Sequence, residues 1–293
     1  MKMGLFFKKS KVHRVSPQLV NLVRALDDGE EWAQQKITEL WDNDEPNLMV
    51  DMSAARIEIY QAAAKKGDKK AQLWMGKSLE FFDKEESEKW LIQLSNEGNI
   101  EAMKALAGAY NEWTIYGKDE EKQFYWHMKA AEAGDADAQY RIGLEYSIQK
   151  DYENSFKWYQ LSANQKYPQG LIGLAECYER LKRDVFINNE DKRKLEEYDI
   201  KIENLLIDAM NYANNQDDSE RAASSLGFFY RSQLMENPED INTAKRSAYF
   251  MYVAYLCGNP YMLDHFNELV DKKRLYVNTN DIEKWAVEEQ LFN

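Results

Sequence analysis

Residues 126–146 read WHMKAAEAGDADAQYRIGLEY, and this stretch decides the fold. Gly134 and Asp135 stand at its centre. From Ala138 onward, small or large apolar residues fill positions 0, +4, +5 and +8, which lie on one side of a helix with 3.6 residues per turn. Glycine adopts the left-handed conformation that ends a helix, and aspartate caps the start of the next one. The stretch therefore predicts a helix, a Gly-Asp turn and a second helix.

The same spacing recurs along the chain, with small residues at positions 0 and +5 and large ones at +4 and +8. The copies are Ala71, Met75, Gly76 and Leu79; Ala102, Leu106, Ala107 and Tyr110; Ala138, Ile142, Gly143 and Tyr146; Gly170, Leu174, Ala175 and Tyr178; Ala222, Leu226, Gly227 and Tyr230. Degenerate copies start at Ala33 and Met262. Turn glycines precede most copies by four residues, as Gly29, Gly67, Gly98, Gly134 and Gly258. Small residues let a neighbouring helix approach and large ones fill the groove between helices, so the pattern predicts stacked helical hairpins.

The helix ahead of each turn also follows a pattern. Trp90, Trp126 and Trp158 each stand eight residues before a turn position, which predicts that they pack between helices. Lys157-Trp158-Tyr159 followed by Ser162-Ala163, and Trp126 followed by residues 129–138, resemble the Sel1-like repeat, a subclass of the tetratricopeptide-type helical hairpins. The resemblance is strong over 54–180, weaker over 205–270, and suggested over 16–45.

That resemblance implies an α-solenoid whose relatives mostly act as adaptors or scaffolds. The usual Gly-x-Gly-Val loop between the two helices is missing, which implies shorter or differently shaped connections. We expect an all-α fold of about seven stacked helix-turn-helix hairpins that forms a single domain over 16–293 after a basic arm at 1–15. The turn positions Lys166 and Asp218 are 52 residues apart, so an irregular long helix is expected over 188–214. A capping helix is expected over 279–291, because the end of a repeat stack would otherwise expose its core.

Composition excludes several classes of protein. The net charge is −13, which argues against a nucleic-acid or anionic-membrane binder, since both need a basic surface. The charge is uneven: the first 14 residues hold five basic residues and no acid, and the remainder holds 33 basic against 51 acidic residues, a net charge of −18. No apolar stretch is long enough to span a membrane, and the apolar run of residues 4–7 is too short for a signal peptide. The expectation is a cytoplasmic protein.

Catalytic and metal-binding signatures are missing from the sequence. Its three histidines, at 13, 127 and 265, match no metal-ligand spacing, and His127 is expected to be a partly exposed surface or interface residue. Cys177 and Cys257 are interpreted as small buried apolar residues rather than nucleophiles. No phosphate-binding loop, nucleophile elbow or calcium loop occurs, and no pair of carboxylates stands out. We therefore expect no cofactor, no metal and no enzyme activity.

The helix after each turn is expected to line the concave side of the stack. Once the core positions are removed, positions +2, +6 and +9 remain on the opposite side of these helices. The predicted protein-binding residues at these positions are Leu73, Lys77, Lys104, Asn111, Tyr140, Leu144, Ile172, Glu176, Phe228 and Arg231. Two interpretations of the apolar members stay open. They anchor a ligand, or tight curvature buries them against neighbouring helices.

Two functions follow from this pattern. The first is a non-enzymatic scaffold or adaptor that binds a peptide or protein on the concave face. The alternative is a cytoplasmic immunity or inhibitor protein that neutralises a basic toxin, because the acidic repeat region would attract it electrostatically. The sequence leaves the oligomeric state open between monomer and dimer.

Overall fold

The computed structural model describes residues 16–42, 48–79, 83–110, 116–188 and 192–273. All regular structure in these ranges is α-helical, and they contain no strand. The chain divides between Ala133 and Gly134 into two compact units. The helices of the first unit are α1 (Pro17–Asp27), α2 (Glu31–Asp42), α3 (Leu48–Lys65), α4 (Lys69–Leu79), α5 (Lys84–Asn96), α6 (Ile100–Ala109) and α7 (Glu120–Glu132). Those of the second unit are α8 (Ala136–Ile148), α9 (Tyr152–Asn164), α10 (Pro168–Ile187), α11 (Lys192–Asn211), α12 (Gln216–Glu236), α13 (Ile241–Leu256) and α14 (Tyr261–Lys273).

Turns between helices form where the glycine pattern predicts them. Gly134 has a φ of +99°, and the Asp135 side chain accepts a hydrogen bond from the Ala138 backbone N–H at 2.8 Å. Lys166, which replaces the glycine at one turn, adopts the same left-handed conformation with a φ of 61°. The α8–α9 connection also uses this conformation, at Lys150 with a φ of 64°.

In the first unit, α1 packs on α2 and α3, and the remaining helices pack in sequence order with an additional contact of α4 with α6. The small residues of the repeat allow the close approach. A Cβ atom on Gly76 of α4 would lie 2.5 Å from Cδ2 of Leu91 on α5. Trp90 is buried in the core beside Met75, and Trp126 packs against the core formed by α5 and α6. The predicted packing role of these two tryptophans is confirmed, and Trp158 of the second unit is half-buried.

The second unit repeats this arrangement. Each helix packs on the next, and the helices that follow the turns also contact one another, α8 with α10 and α10 with α12. A Cβ atom on Gly227 would lie 2.9 Å from Cγ of Met251 on α13, so α12 and α13 are also in close contact. Ser247 donates a hydrogen bond from its hydroxyl to the Gly227 carbonyl at 2.9 Å across the same contact.

The predicted fold class, an all-α solenoid of paired helices, is confirmed over the described residues. The wide spacing between Lys166 and Asp218 arises from two long helices, α10 and α11, of 20 residues each. The irregular long helix predicted over 188–214 corresponds to α11. Asn188 forms the C-cap of α10, and α11 runs from Lys192 to Asn211. The basic arm at 1–15 and the capping helix at 279–291 lie outside the described residues, and the single domain over 16–293 stays a prediction.

Among the described helices, none combines the length and apolar character needed to cross a bilayer.

Candidate protein-binding groove

Half of the residues predicted for the concave face line one groove of the second unit. They are Tyr140, Leu144, Ile172, Glu176 and Phe228. The groove is lined by α8, α10 and α12 together with Met262 at the start of α14, and its volume is about 390 Å³. In the repeat pattern, these four helices are the ones that carry positions 0, +4, +5 and +8. The +2 and +6 positions of α8 and α10 and the +6 position of α12 therefore meet in space.

Exposed apolar side chains stand on two sides of the groove. Leu144 on α8 is 39% exposed and Phe228 on α12 is 43% exposed. Ile172 and Met262, at 9% and 4%, form the wall behind them. The Phe228 ring meets His265 edge-on, with 5.3 Å between centroids. A ligand that covers Leu144 and Phe228 removes apolar surface from water, which favours binding.

The floor of the groove is the ring of Tyr159, which reaches in from α9. A Cβ atom on Gly143 would lie 2.7 Å from this ring, and one on Gly173 would lie 2.6 Å from it. Both glycines are therefore required for the ring to lie between α8 and α10. Tyr159 is 2% exposed, and Tyr140 lies beside it with 5.9 Å between centroids. Burial and the nearby Glu176 charge raise the pKa of the Tyr159 hydroxyl, so the floor is uncharged at neutral pH.

Hydrogen bonds between helix starts close one end of the groove. Gln169 of α10 donates from Nε2 to the carboxylate of Asp218 on α12, and this carboxylate also accepts from Nδ2 of Asn215 at 2.9 Å. Asn259, in the turn before α14, donates from Nδ2 to Oε1 of Glu220 at 2.5 Å. Because these bonds join α10 to α12 and α12 to the turn before α14, they fix the starts of the three helices relative to one another.

The acidic side of the groove is formed by Glu176. The neighbouring helices displace part of the hydration of this carboxylate although the side chain remains accessible to solvent. That burial raises its pKa, and the charge of Glu179 adds to the effect. Arg180 lowers the pKa in part, but its guanidinium lies over the ring of Tyr152, 3.5 Å from the centroid. None of the ion pairs within the described part of the chain involves Glu176.

Arg231, predicted for the same face, lies beside the groove but does not line it. Its guanidinium pairs with Glu268 at 2.8 Å and contacts Nδ1 of His265 at 2.9 Å. It therefore fixes the histidine on which Phe228 packs, rather than facing the groove itself.

The predicted residues of the first unit have other surroundings. Leu73 is half-buried and packs against the apolar core of α5 and α6, which favours the interpretation that curvature buries it. Lys77 and Lys104 approach the same carboxylate, that of Glu101, at 3.5 Å and 4.0 Å. Asn111 lies outside the described residues.

Nine of the fourteen lining residues were not among the predicted binding residues: Tyr159, Gln169, Gly173, Glu220, Arg221, Ser224, Ser225, Asn259 and Met262. Gln169 and Arg221 stand at position −1 of their repeats, three residues before +2, and so share a helix face with +2 and +6. Including position −1 would have found both. Met262 occupies a core position and Asn259 occupies a turn, so neither belongs to positions +2, +6 and +9, which were taken as the binding face.

Neither of the two cysteine thiols is activated by its surroundings. Burial raises the pKa of Cys177 to about 11 and also raises the pKa of Cys257, which disfavours the reactive thiolate. His127 is half-buried, and His13 lies outside the described residues. Within the described ranges, no three or more histidine, cysteine, aspartate or glutamate side chains are placed to hold a metal ion together.

No protein-family model matches this chain, and no curated protein matches it. Two solved structures are similar in fold. One is a protective antigen present in uropathogenic Escherichia coli strains that displays an SLR fold, with a TM-score of 0.56 and 16% identity over 93% of this chain. The match covers only 55% of the antigen, so this chain spans about half its length. The other is a Sel1 repeat protein from Oxalobacter formigenes, with a TM-score of 0.47 and 17% identity over 96% of this chain and 89% of that one. The likeness to the antigen shows that this chain has a Sel1-like repeat (SLR) fold of paired helices.

Proposed function

We propose that this chain is a non-enzymatic scaffold or adaptor that binds a peptide or protein segment in the groove of its second unit. The observation that carries the proposal is the exposure of Leu144 and Phe228 beside a groove of about 390 Å³ with a fixed aromatic floor. A cytoplasmic setting is part of the same proposal.

The arrangement has the features of a protein-binding site. Tyr159 and the hydrogen-bonded helix starts are already in place, so binding would order few groups and cost little conformational entropy. Leu144 and Phe228 would supply apolar anchors, while Ser224, Arg221 and Glu176 supply a polar rim. Energetic anchors surrounded by polar residues are typical of protein interfaces.

A displayed library of linear dodecapeptides provides a test that needs no known partner. The library is selected on the full chain, and the enriched peptides are then measured by fluorescence polarisation. Leu144→Ala combined with Phe228→Ala should weaken binding about tenfold or more, since truncated anchors each cost about 1 kcal/mol or more.

A matched control pair removes similar side chains outside the groove. Leu161→Ala combined with Phe186→Ala truncates residues that are 45% and 73% exposed and do not line the groove, and should leave affinity unchanged. Thermal unfolding confirms that both double variants are folded. If the folded groove variant binds every enriched peptide as well as the wild-type chain does, the groove is not the binding site.

The acidic balance favours a second candidate, an inhibitor of a basic toxin. The chain carries a net charge of −13, and attraction between opposite charges speeds association. A basic toxin domain encoded beside this chain's gene would be the partner to test. Its association rate constant should fall steeply between about 0.05 and 0.5 M NaCl, where screening shortens the reach of charges. A rate that does not change with salt would contradict this candidate.

A further inference from the structure

Polar side chains of the groove present mainly hydrogen-bond acceptors. The buried Oε1 of Gln169 has no hydrogen-bond partner, although Nε2 of the same amide donates to Asp218. Glu176 takes part in no ion pair with another described residue. Glu220 is held in place because its Oε1 accepts from Asn259 and from Ser224, the latter at 2.8 Å. A ligand with charged N–H donors would pair with the Glu176 carboxylate and with the second oxygen of Glu220.

Charge in the groove favours the same kind of ligand. Two carboxylates, Glu176 and Glu220, line it, against one guanidinium from Arg221. Glu179 stands one helical turn from Glu176, and the repulsion between the two carboxylates opposes ionisation of Glu176. A cation beside Glu176 would relieve that repulsion.

Aromatic rings add a third element. Tyr140 and Phe228 line the groove, and Phe228 is 43% exposed. A planar guanidinium stacks on aromatic faces and donates to carboxylates at the same time, which an ammonium group does less well. Leu144 on the neighbouring helix offers contact to an apolar side chain of the same ligand.

We propose that the groove recognises an extended peptide segment in which a basic side chain, arginine in preference to lysine, stands beside an apolar one. The inference rests on the proposed function, because it specifies the ligand of the same groove. The arginine lies among Glu176, Glu220 and Tyr140, and its apolar neighbour covers Leu144 and Phe228.

The test uses peptides from the dodecapeptide selection whose binding depends on Leu144 and Phe228. These peptides should carry an arginine or lysine next to an apolar residue. Replacing that arginine with citrulline, its uncharged isostere, should weaken binding about tenfold, as expected for the loss of a hydrogen bond between charged groups. Glu176→Gln should weaken the arginine peptide similarly and should leave the citrulline peptide nearly unaffected, so that the two changes are coupled.

Glu196→Gln provides the matched control, because Glu196 is an exposed glutamate of α11 outside the groove. It should change affinity less than about twofold, since an exposed charge outside the site interacts weakly with the ligand. The inference is overturned, and the proposed function stands, if the groove-dependent peptides lack a basic residue. The same holds if neither citrulline nor Glu176→Gln weakens binding, or if Glu196→Gln weakens binding as much as Glu176→Gln does. A selection that yields no groove-dependent peptide overturns both.

Discussion

Gly170 provides the sharpest test of how the repeat sets the distance between helices. A Cβ atom at this position of α10 would lie 2.2 Å from Oγ and 2.6 Å from Cβ of Ser162, and 3.0 Å from the backbone nitrogen of Ala163, both on α9. Because two of these atoms are close to or part of the α9 backbone, no side-chain rotation relieves the contact. Gly170→Ala must therefore move α9 away from α10 or distort one of them.

The magnitude follows from two opposed terms. Overpacking of a tight contact costs about 1–3 kcal/mol. Alanine in place of glycine in a helix stabilises the folded chain by about 0.5–1 kcal/mol. The Ser162 hydroxyl also donates to the Ala136 carbonyl at 2.7 Å, so displacing it weakens a link to the start of α8. The expected net destabilisation is about 1–2 kcal/mol, which lowers Tm by roughly 2–8 °C at about 2–4 °C per kcal/mol.

Gly108→Ala is the matched control, since the same methyl group on α6 would lie more than 4 Å from every described atom outside its own stretch of helix. It should raise Tm slightly, because only the helix-propensity term remains. Circular dichroism during heating measures both variants. Hydrogen exchange should then show the loss of protection of Gly170→Ala concentrated in α9 and α10. If Gly170→Ala is as stable as Gly108→Ala, the small residues of the repeat do not set the helix spacing.

Two further predictions concern ionisation. Burial raises the pKa of the Cys177 thiol to about 11, so this thiol should react with iodoacetamide more slowly in the folded chain than in urea. The rates are measured in a Cys257→Ser background, in which Cys177 is the remaining thiol. Equal rates in the two states would contradict its burial. Burial raises the pKa of Tyr110, Tyr159 and Tyr230, so the unfolded chain loses these protons first. The stability that these three protonated tyrosines contribute is fully present below a pH of about 10 and is lost as the pH rises further. Tyr230→Phe should therefore flatten the fall of Tm with pH. An unchanged slope would show that the fall has another origin.

The repeat was predictable because it depends on local spacing. Small residues at positions 0 and +5 and a glycine at each turn specify which helix faces meet, and Gly76 and Gly227 lie at such contacts. The floor and the closed end of the groove were not predictable in the same way. Gln169 and Asp218 are separated by 49 positions, and they meet only because α10 and α12 start at the same end of the unit. No periodic pattern encodes such a contact between side chains from different repeats.

Equivalent repeat positions carry different chemistry in the two units, and this difference bears on where specificity arises. Lys77 and Lys104 of the first unit both approach Glu101, which compensates part of their charge within the protein. At position +6, which Lys77 holds in the first unit, the second unit carries Glu176 and also Leu144 and Phe228, which are exposed and apolar. A ligand that covers Leu144 and Phe228 removes apolar surface from water, which favours binding. A ligand beside a lysine that remains paired with Glu101 gains little free energy of binding. We therefore expect variants of Leu144 and Phe228 to change which peptides bind, and variants of Lys77 and Lys104 to change solubility or stability instead.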